Sequence, residues 1–170
     1  YDVEFIGNGN RYYRDINFEL KNRWNKRFNT TLTMLDVIID KGVALGGPLG
    51  IQGDIKAKVG VIEGTYRHEN RKSSRAVIQH LWTKQDKKNW VGLVYEYNFS
   101  TSLNLFIADG WNYGSSDKIH YYNVGGSYSK NNTRLSLNYG RQRGGLICVG
   151  GVCRYVPENT GINLNLNLVF

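Results

Sequence analysis

Residues 161–170 read GINLNLNLVF, and this stretch decides the fold class. Aliphatic and amide side chains alternate from Ile162 to Leu168, and Val169 then takes an amide position. The aliphatic positions are Ile162, Leu164, Leu166 and Leu168, and the amide positions are Asn163, Asn165 and Asn167. Successive side chains of a β-strand point to opposite faces, so the stretch predicts a strand with one apolar face and one amide face. The two faces must contact different surroundings.

Similar alternation recurs along the whole chain and predicts an all-β protein. The 170 residues include 20 Gly, 12 Tyr and 4 Trp but only 2 Pro, a composition typical of strands and turns in one domain. We expect about ten strands. The segments are 1–7, 11–24, 29–40, 54–68, 74–84, 90–99, 102–109, 119–130, 133–142 and 160–170.

Three of these segments alternate less well than the others. Segments 29–40 and 74–84 have an irregular pattern, and segment 54–68 changes frame near residues 61–63. A change of frame predicts either a bulge at that point or a strand that is covered on both faces.

The connections alternate in length. Short connections lie at 26–30, 98–102 and 130–133, with 67–74 a little longer. Long connections lie at 42–54, 83–89, 110–118 and 141–160. An up-and-down sheet collects each set at one end, as in transmembrane β-barrels with short periplasmic turns and longer external loops. The last strand would then run inward and end with Phe170 at the periplasmic edge. No run of about 18 apolar residues predicts a transmembrane helix.

Aromatic residues fall near the strand ends and predict two interfacial girdles. At the ends with short turns they are Trp24, Tyr66, Tyr97, Phe99, Tyr128 and Phe170. At the ends with long loops they are Trp82, Trp90, Trp111, Tyr113 and Tyr139.

The two cysteines, Cys148 and Cys153, flank a Gly150-Gly151 pair. A two-residue turn at the glycines would place the cysteines opposite each other in a hairpin, within the Cα separation that a disulfide tolerates. We therefore expect a disulfide in an oxidising compartment. The alternative is a Cys/His metal site, but the three histidines are distant in sequence and lack ligand spacing, so no metal is expected.

These features resemble bacterial outer-membrane β-barrel proteins. The last strand resembles the signal that the barrel-assembly machinery recognises, carried here by Leu164, Leu166, Leu168 and Phe170. The stretch GGLICVGGVCRYVPENTGINLNLNLVF, residues 144–170, is similar to the C-terminal end of an uncharacterised family of Bacteroidota outer-membrane barrels. The resemblance implies that residues 1–170 are the C-terminal segment of a longer antiparallel barrel in the Gram-negative outer membrane.

Polar side chains on the predicted strands would line the lumen of such a barrel. They are Asp15, Asn17, Glu19, Lys21, Lys56, Lys58, Glu96, Arg134, Asn163, Asn165 and Asn167. One hypothesis is a porin-like channel in which these charges sort small solutes. The other is a structural or partner-binding barrel, belonging to a larger outer-membrane complex, in which they form a network and the lumen is plugged.

The net charge of +8 favours an anionic lipid surface over nucleic acid. The Lys and Arg residues are dispersed rather than gathered on one helix or motif, so nucleic-acid binding is not expected. The expected partners are outer-membrane lipid and lipopolysaccharide, the assembly machinery, and another outer-membrane protein in the second hypothesis.

Two further classes are less consistent with the sequence. Ser73, Ser74, His80 and Asp86 supply the atoms of a catalytic triad, but no nucleophile elbow or other catalytic motif surrounds them, so we expect no enzyme and no cofactor. A soluble lipocalin-like barrel would have an apolar interior and its asparagines outside. That arrangement leaves the aromatic ends and the loop asymmetry unexplained.

Overall fold

The computed structural model describes residues 13–40, 53–85, 88–149 and 152–169, with 145–149 and 152–156 described by their backbone alone. This part of the chain contains eleven strands. They are β1 (Tyr13–Arg23), β2 (Phe28–Asp40), β3 (Asp54–Arg67), β4 (Ser73–Thr83), β5 (Trp90–Asn98), β6 (Leu103–Trp111), β7 (His120–Lys130), β8 (Thr133–Gln142), β9 (Gly145–Val149), β10 (Val152–Val156) and β11 (Asn159–Leu168).

Nine strands form one antiparallel sheet in the order β1-β2-β3-β4-β5-β6-β7-β8-β11, and β9 and β10 form a separate hairpin. The predicted all-β, up-and-down antiparallel architecture is confirmed at this level. Nine of the ten predicted segments correspond to strands of the large sheet, and the first, 1–7, lies outside the described residues. β1 and β11 are the two edges of the sheet.

The connections separate by length, as the sequence predicts. The short turns 24–27, 68–72, 99–102 and 131–132 lie at one end of the sheet, here called the short-turn end. Asn25 shapes the first turn, because its side-chain oxygen accepts hydrogen bonds from the backbone N–H groups of Arg27 and Phe28, both at 2.8 Å. The other end, here called the long-loop end, carries the longer connections.

The register assigns every side chain to one of two faces, because directly opposed residues point the same way. One row runs Leu164, Leu137, Gly126, Leu105 and Tyr97 across five strands. The apolar face is the face that contains this row. Its other large side chains include Ile16, Phe18, Leu20, Met34, Ile62, Ile78, Leu93, Ile107, Leu135, Ile162, Leu166 and Leu168. The other side of the sheet is called the opposite face.

β3 runs straight through the point where the sequence pattern changes frame. Its register against β2 and β4 advances one residue at a time, so no bulge occurs at residues 61–63. The frame changes because Ile55, Val59 and Val61 lie on the opposite face, whereas Ile62 lies on the apolar face. β3 therefore has apolar side chains on both faces. Neither structure predicted for this segment occurs, because the register has no bulge and Ile62 is 57% exposed rather than covered.

The sheet is a single layer with few buried side chains. Among the described residues, the buried apolar side chains are Val37, Ile38 and Val77. Most large aliphatic side chains of the apolar face are exposed even in the middle strands, with 53% for Leu137 and 55% for Ile107. Within the described ranges, no helix is long and apolar enough to cross a membrane. No second layer in this part of the chain covers the apolar face, and its buried residues, Ile38 and Asp40, lie at the long-loop end.

Close packing on the opposite face predicts that Gly125 tolerates no side chain. A Cβ added at Gly125 would lie 2.6 Å from the backbone oxygen of Leu137 and 2.6 Å from Asn138 Cβ, so the backbone would have to move. We expect Gly125→Ala to lower the free energy of unfolding by about 1–3 kcal/mol, measured by denaturant unfolding with tryptophan fluorescence.

Gly161→Ala is the matched control for Gly125→Ala. Gly161 lies on the same face, in β11, and a Cβ there would meet nothing within 4 Å. Its unfolding midpoint should stay the same or rise slightly, since glycine weakens strands. Equal stability of the two variants would contradict the close packing at Gly125.

Candidate functional site

A charged cluster occupies the opposite face near the short-turn end. Arg75 of β4 contacts Glu63 of β3 at 2.9 Å and Glu96 of β5 at 3.2 Å. The register places Arg75 directly opposite Glu96 and one row from Glu63, so one guanidinium lies between two carboxylates. The side chains of Arg75, Glu63 and Glu96 are 38%, 32% and 31% exposed, so water partly reaches all three.

A row of amides and hydroxyls continues this polar surface toward the short turns. Asn98 Nδ2 donates to Ser73 Oγ at 3.0 Å, and Asn104 Nδ2 donates to Asn98 Oδ1 at 2.9 Å. The register extends the row through Ser127 and Ser136. Ser73, Asn98 and Asn104 bind each other across strands, and the whole row together with the charged cluster makes this half of the opposite face polar.

The half of the opposite face toward the long loops is different. Leu35, Val59 and Leu81 form a row there across β2, β3 and β4. Val37, in the next row, is only 9% exposed. The opposite face is therefore polar at one end and apolar, in these strands, at the other.

An aromatic and cationic cluster lies at the long-loop end of the sheet, with Trp90 and Tyr121 on the opposite face. The rings of Trp90 and Tyr121 stack at 5.6 Å, and the Arg143 guanidinium lies 4.7 Å from the Trp90 ring centroid. Arg141 donates from Nε to Glu158 at 2.7 Å, and the Tyr121 hydroxyl donates to the same carboxylate at 3.1 Å. Arg141 is held by the Glu158 carboxylate and also lies 5.6 Å from the Tyr121 ring centroid.

The short-turn end of the sheet has a continuous chain of rings, here called the short-turn girdle. Phe28, Tyr66, His68, Tyr97 and Phe99 follow one another across β2 to β5. Successive ring centroids are 6.5, 4.8, 5.7 and 4.6 Å apart. These distances lie within the usual range for interacting aromatic pairs, so the rings form one connected belt.

A second belt, the long-loop girdle, lies at the other end. Trp82, His80, Tyr113, Trp111 and His120 follow one another with centroid separations of 4.0, 5.6, 5.6 and 5.4 Å. His80 Nε2 also lies 2.7 Å from the Tyr113 hydroxyl, which ties β4 to the connection after β6. Amphipathic rings at both ends of an apolar band are typical of membrane interfaces.

The separation of the girdles can be compared with a bilayer. Positions 74 and 82 of β4 mark the two levels, since Ser74 lies opposite Tyr66 and Tyr97. At about 3.4 Å per residue they are about 27 Å apart along the strand. A strand tilt of about 40° reduces this to a height of about 21 Å, close to the apolar band of about 25 Å in transmembrane barrels.

The structure divides the predicted polar set between the two faces. The opposite face carries Asp15, Asn17, Glu19, Lys21, Glu96, Arg134, Asn163, Asn165 and Asn167. Lys56 and Lys58 instead share the apolar face with Ile38 and Ile16, because β3 keeps strict alternation through its frame change. Trp90 also differs from its predicted place, since it lies on the opposite face against Tyr121 rather than in a girdle.

Sequence reasoning missed the partners of Glu96. Glu63 and Arg75 belong to the segments with poor alternation, so neither was assigned to the polar set. A signal was present in the pattern of charge, because an Arg in one strand and a Glu in each neighbouring strand favour cross-strand pairing.

The two cysteines are placed as predicted at the level of the backbone. Cys153 pairs with Cys148 in the β9–β10 register, and Val152 pairs with Val149. Their side chains lie outside the described residues, so the disulfide stays a prediction. Leu164, Leu166 and Leu168 lie on the apolar face, and Phe170 lies outside the described residues.

The atoms of the hypothetical triad lie apart. Ser73 and Ser74 are the first two residues of β4, and His80 lies near the other end of the same strand. At about 3.4 Å per residue, Ser74 and His80 are about 20 Å apart along the strand. Ser74 Oγ instead lies 3.0 Å from His68 Nε2. Asp86 lies outside the described residues. In the described ranges, no group of three His, Cys, Asp or Glu side chains could hold a metal ion.

Comparison with known proteins gives one match. The model of a family of unknown function, DUF6029, matches residues 1–170. No curated protein and no solved structure matches the chain.

The Glu63, Arg75 and Glu96 cluster predicts a stability effect on removal of its cation. Arg75→Gln would leave two carboxylates close together without the guanidinium between them. We expect the free energy of unfolding to fall by about 1–2 kcal/mol, reduced from the value for a fully buried pair because water reaches the cluster. Denaturant unfolding with tryptophan fluorescence measures the effect.

Glu19→Gln is the control for Arg75→Gln. It breaks the contact between Glu19 and Lys21, which is equally short at 2.8 Å but has side chains 45% and 72% exposed. This change should leave the denaturant midpoint nearly unchanged, because water screens so exposed a pair. A larger loss in Glu19→Gln than in Arg75→Gln would show that the central cluster does not stabilise the sheet.

Proposed function

The chain belongs to DUF6029, a family of unknown function, and we propose that it forms part of the wall of an outer-membrane β-barrel that passes small solutes. The observation that carries the proposal is the uncovered apolar face, bordered at its ends by the two girdles. Lipid is the surrounding that suits this face, because hydrocarbon accepts aliphatic side chains and interfaces accept amphipathic rings.

The size of the apolar face supports the proposal. Nine strands at about 4.8 Å spacing span about 38 Å, and a height of about 21 Å gives roughly 800 Å². The largest apolar patch on a typical soluble monomer is about 300–600 Å². A sheet with this face in water would lose much of the free energy that burial gives ordinary domains.

The two edge strands of the described sheet support closure into a barrel. Open strand edges do not occur in the hydrocarbon region, because each unsatisfied backbone group there costs several kcal/mol. The free sides of β1 and β11 must therefore pair, either with each other or with further strands. Eight-stranded barrels are filled by side chains, whereas barrels of about 16 strands leave an aqueous channel. Further strands between β1 and β11 would open a lumen lined by the opposite face.

The proposed orientation places the short turns in the periplasm and the long loops outside the cell. The β9–β10 hairpin then lies outside, where an oxidising medium would allow the bond between Cys148 and Cys153. The charged cluster around Arg75 would lie in the lumen on the periplasmic side. There it would impose a local field on passing ions.

A second candidate is a structural or partner-binding barrel with a plugged lumen. The row of Leu35, Val59 and Leu81 favours it, because apolar side chains in a wet lumen gain from being covered. The cross-linked amide row around Asn98 also suits a packed interior. Both candidates share the lipid-facing apolar surface and differ in whether the interior conducts.

Two neighbouring positions of β8 test the lipid assignment. Ser136 lies on the opposite face and Leu137 on the apolar face. We make Ser136→Cys and Leu137→Cys separately, with Cys148 and Cys153 changed to Ser, and reconstitute each in lipid vesicles. A charged, water-soluble maleimide should label Ser136→Cys at least tenfold faster than Leu137→Cys, because hydrocarbon excludes the reagent.

Both cysteine variants should label at similar rates after unfolding in denaturant, which controls for intrinsic reactivity. Rapid labelling of Leu137→Cys in vesicles would contradict the lipid assignment. Slow labelling at both positions, followed by fast labelling on unfolding, would favour the plugged interior.

Ion selectivity tests the channel itself. Arg134 lies on the opposite face and contacts Ser127 Oγ at 3.5 Å, so its charge would face the lumen. In planar bilayers under a salt gradient, Arg134→Glu should shift the reversal potential toward cation selectivity. The matched control Arg71→Glu reverses a charge in the turn before β4 and should shift it less.

Equal shifts in Arg134→Glu and Arg71→Glu would mean that the opposite face does not determine selectivity. If the unchanged protein shows no conductance while Leu137→Cys labels slowly in vesicles, the plugged barrel is favoured over the channel.

A further inference from the structure

A groove of about 790 Å³ lies at the long-loop end of the apolar face. The ends of β1 to β4 form one side of it, and residues 84, 85, 88, 89 and 114 form the other. Its lining contains five cationic residues and one carboxylate. The cationic residues are Arg14, Lys56, Lys58, Lys84 and Lys88.

The single carboxylate of the lining, Asp36, organises the cations without neutralising them. Asp36 lies 3.5 Å from Arg14 and 3.8 Å from Lys58, so one carboxylate contacts two cations. Lys58 remains 74% exposed and Arg14 48% exposed despite these contacts. The five cations and one anion leave an excess of four positive charges in the groove, which favours an anionic ligand.

The groove is continuous with the apolar face. Lys58 lies opposite Trp82, whose ring covers Gly60 at 3.2 Å from the position of a Cβ there. The next row toward the short turns contains Met34 and Phe18, which are 54% and 56% exposed. A molecule in the groove would therefore meet cations at one end and exposed aliphatic and aromatic side chains at the other.

We propose that this basic groove binds the phosphate-bearing headgroup of an anionic glycolipid of the outer leaflet, while the acyl chains of the lipid lie along the apolar face. The position of the lipid rests on the proposed function, which sets the apolar face in the bilayer with the long loops outside. Ammonium and guanidinium groups form charge-assisted hydrogen bonds with phosphate oxygens. The adjoining Trp82, Met34 and Phe18 distinguish a lipid from a free phosphate ion, because only a lipid also has chains to cover them.

A lipid phosphate in the groove would also explain why Lys56 and Lys58 lie on the apolar face. A lysine in the middle of that face would be unfavourable in hydrocarbon, whereas Lys56 and Lys58 lie at the level of the girdle or beyond it. Long side chains at this level reach the headgroup region with their ammonium groups and keep their methylene stems on apolar neighbours. The two residues that depart from the predicted lumen are thus the ones placed to contact lipid phosphate.

The test measures binding of a bisphosphorylated glucosamine lipid, lipid A, to the full chain in detergent micelles. The groove variant combines Lys56→Gln with Lys58→Gln, and the matched control combines Lys26→Gln with Lys130→Gln at the short-turn end. Each variant loses two positive charges. Native mass spectrometry counts the bound lipid over a concentration series, with dephosphorylated lipid A and phosphatidylethanolamine as comparison lipids.

Each basic residue near an anionic surface contributes about fivefold to binding, so we expect the groove variant to bind lipid A about tenfold to thirtyfold more weakly. The control variant should bind like the unchanged chain. Preference for lipid A over its dephosphorylated form should fall as salt is raised. Equal weakening in both double variants, or no preference for the phosphorylated lipid, would overturn the proposal.

Inorganic phosphate separates a lipid site from a free-anion site. At the same phosphate concentration, lipid A should bind far more tightly than inorganic phosphate, since the acyl chains add contacts with the apolar face. Equal affinity of the two would overturn the lipid assignment. The micelle experiment does not require insertion in a bilayer, so its result is independent of the labelling of Leu137→Cys. Slow maleimide labelling of Leu137→Cys, together with unchanged lipid A binding by the groove variant, would overturn the proposed lipid site and leave the proposed function standing.

Discussion

The antiparallel backbone pairing from β1 through β8 to β11 is the constraint on which every other feature depends. It continues without a bulge through β3, so residues two apart always share a face. No second layer packs on the sheet in the described part of the chain, and the buried apolar side chains there are few. Cohesion therefore comes from backbone hydrogen bonds and cross-strand pairs, and not from a core. The apolar face is left to interact with its surroundings.

The two faces use this constraint differently. On the apolar face, the type of side chain changes along the strands. The short-turn girdle is followed by aliphatic rows, and these by the long-loop girdle and the basic groove. Across the opposite face, polar groups near the short turns bind one another, and apolar rows follow toward the long loops. The two faces of one sheet thus change in polarity independently along the strands, because successive side chains point to opposite faces.

Strands with strong alternation were predictable from sequence, and so were the turns between them. β1, β5 and β8 lie within the predicted segments, β11 begins one residue before its segment, and the Cys148–Cys153 register follows from the length of the turn between them. These features depend on local spacing. The face of Lys56, Lys58 and Trp90 was not predicted correctly, because near a strand end a charged or amphipathic residue can belong to either face. Only the register with neighbouring strands assigns it.

The contacts among Glu63, Arg75 and Glu96 could not be predicted from the sequence of any one strand. Each residue lies on a different strand, and the contacts at 2.9 and 3.2 Å exist only once three strands align. Closure depends on what pairs with the free sides of β1 and β11. That is again a contact between strands, and the spacing within one strand carries no information about it.

The alternation in β11 has a consequence for how the strand is added to the sheet. Asn163, Asn165 and Asn167 now lie opposite Asn138, Ser136 and Arg134. A slip of one residue would turn all three amides toward the apolar face and the leucines away from it. Each misplaced amide in an apolar surrounding costs about 1–3 kcal/mol or more, so misaligned pairing would be strongly disfavoured. The asparagines thus favour the observed register over one shifted by a single residue.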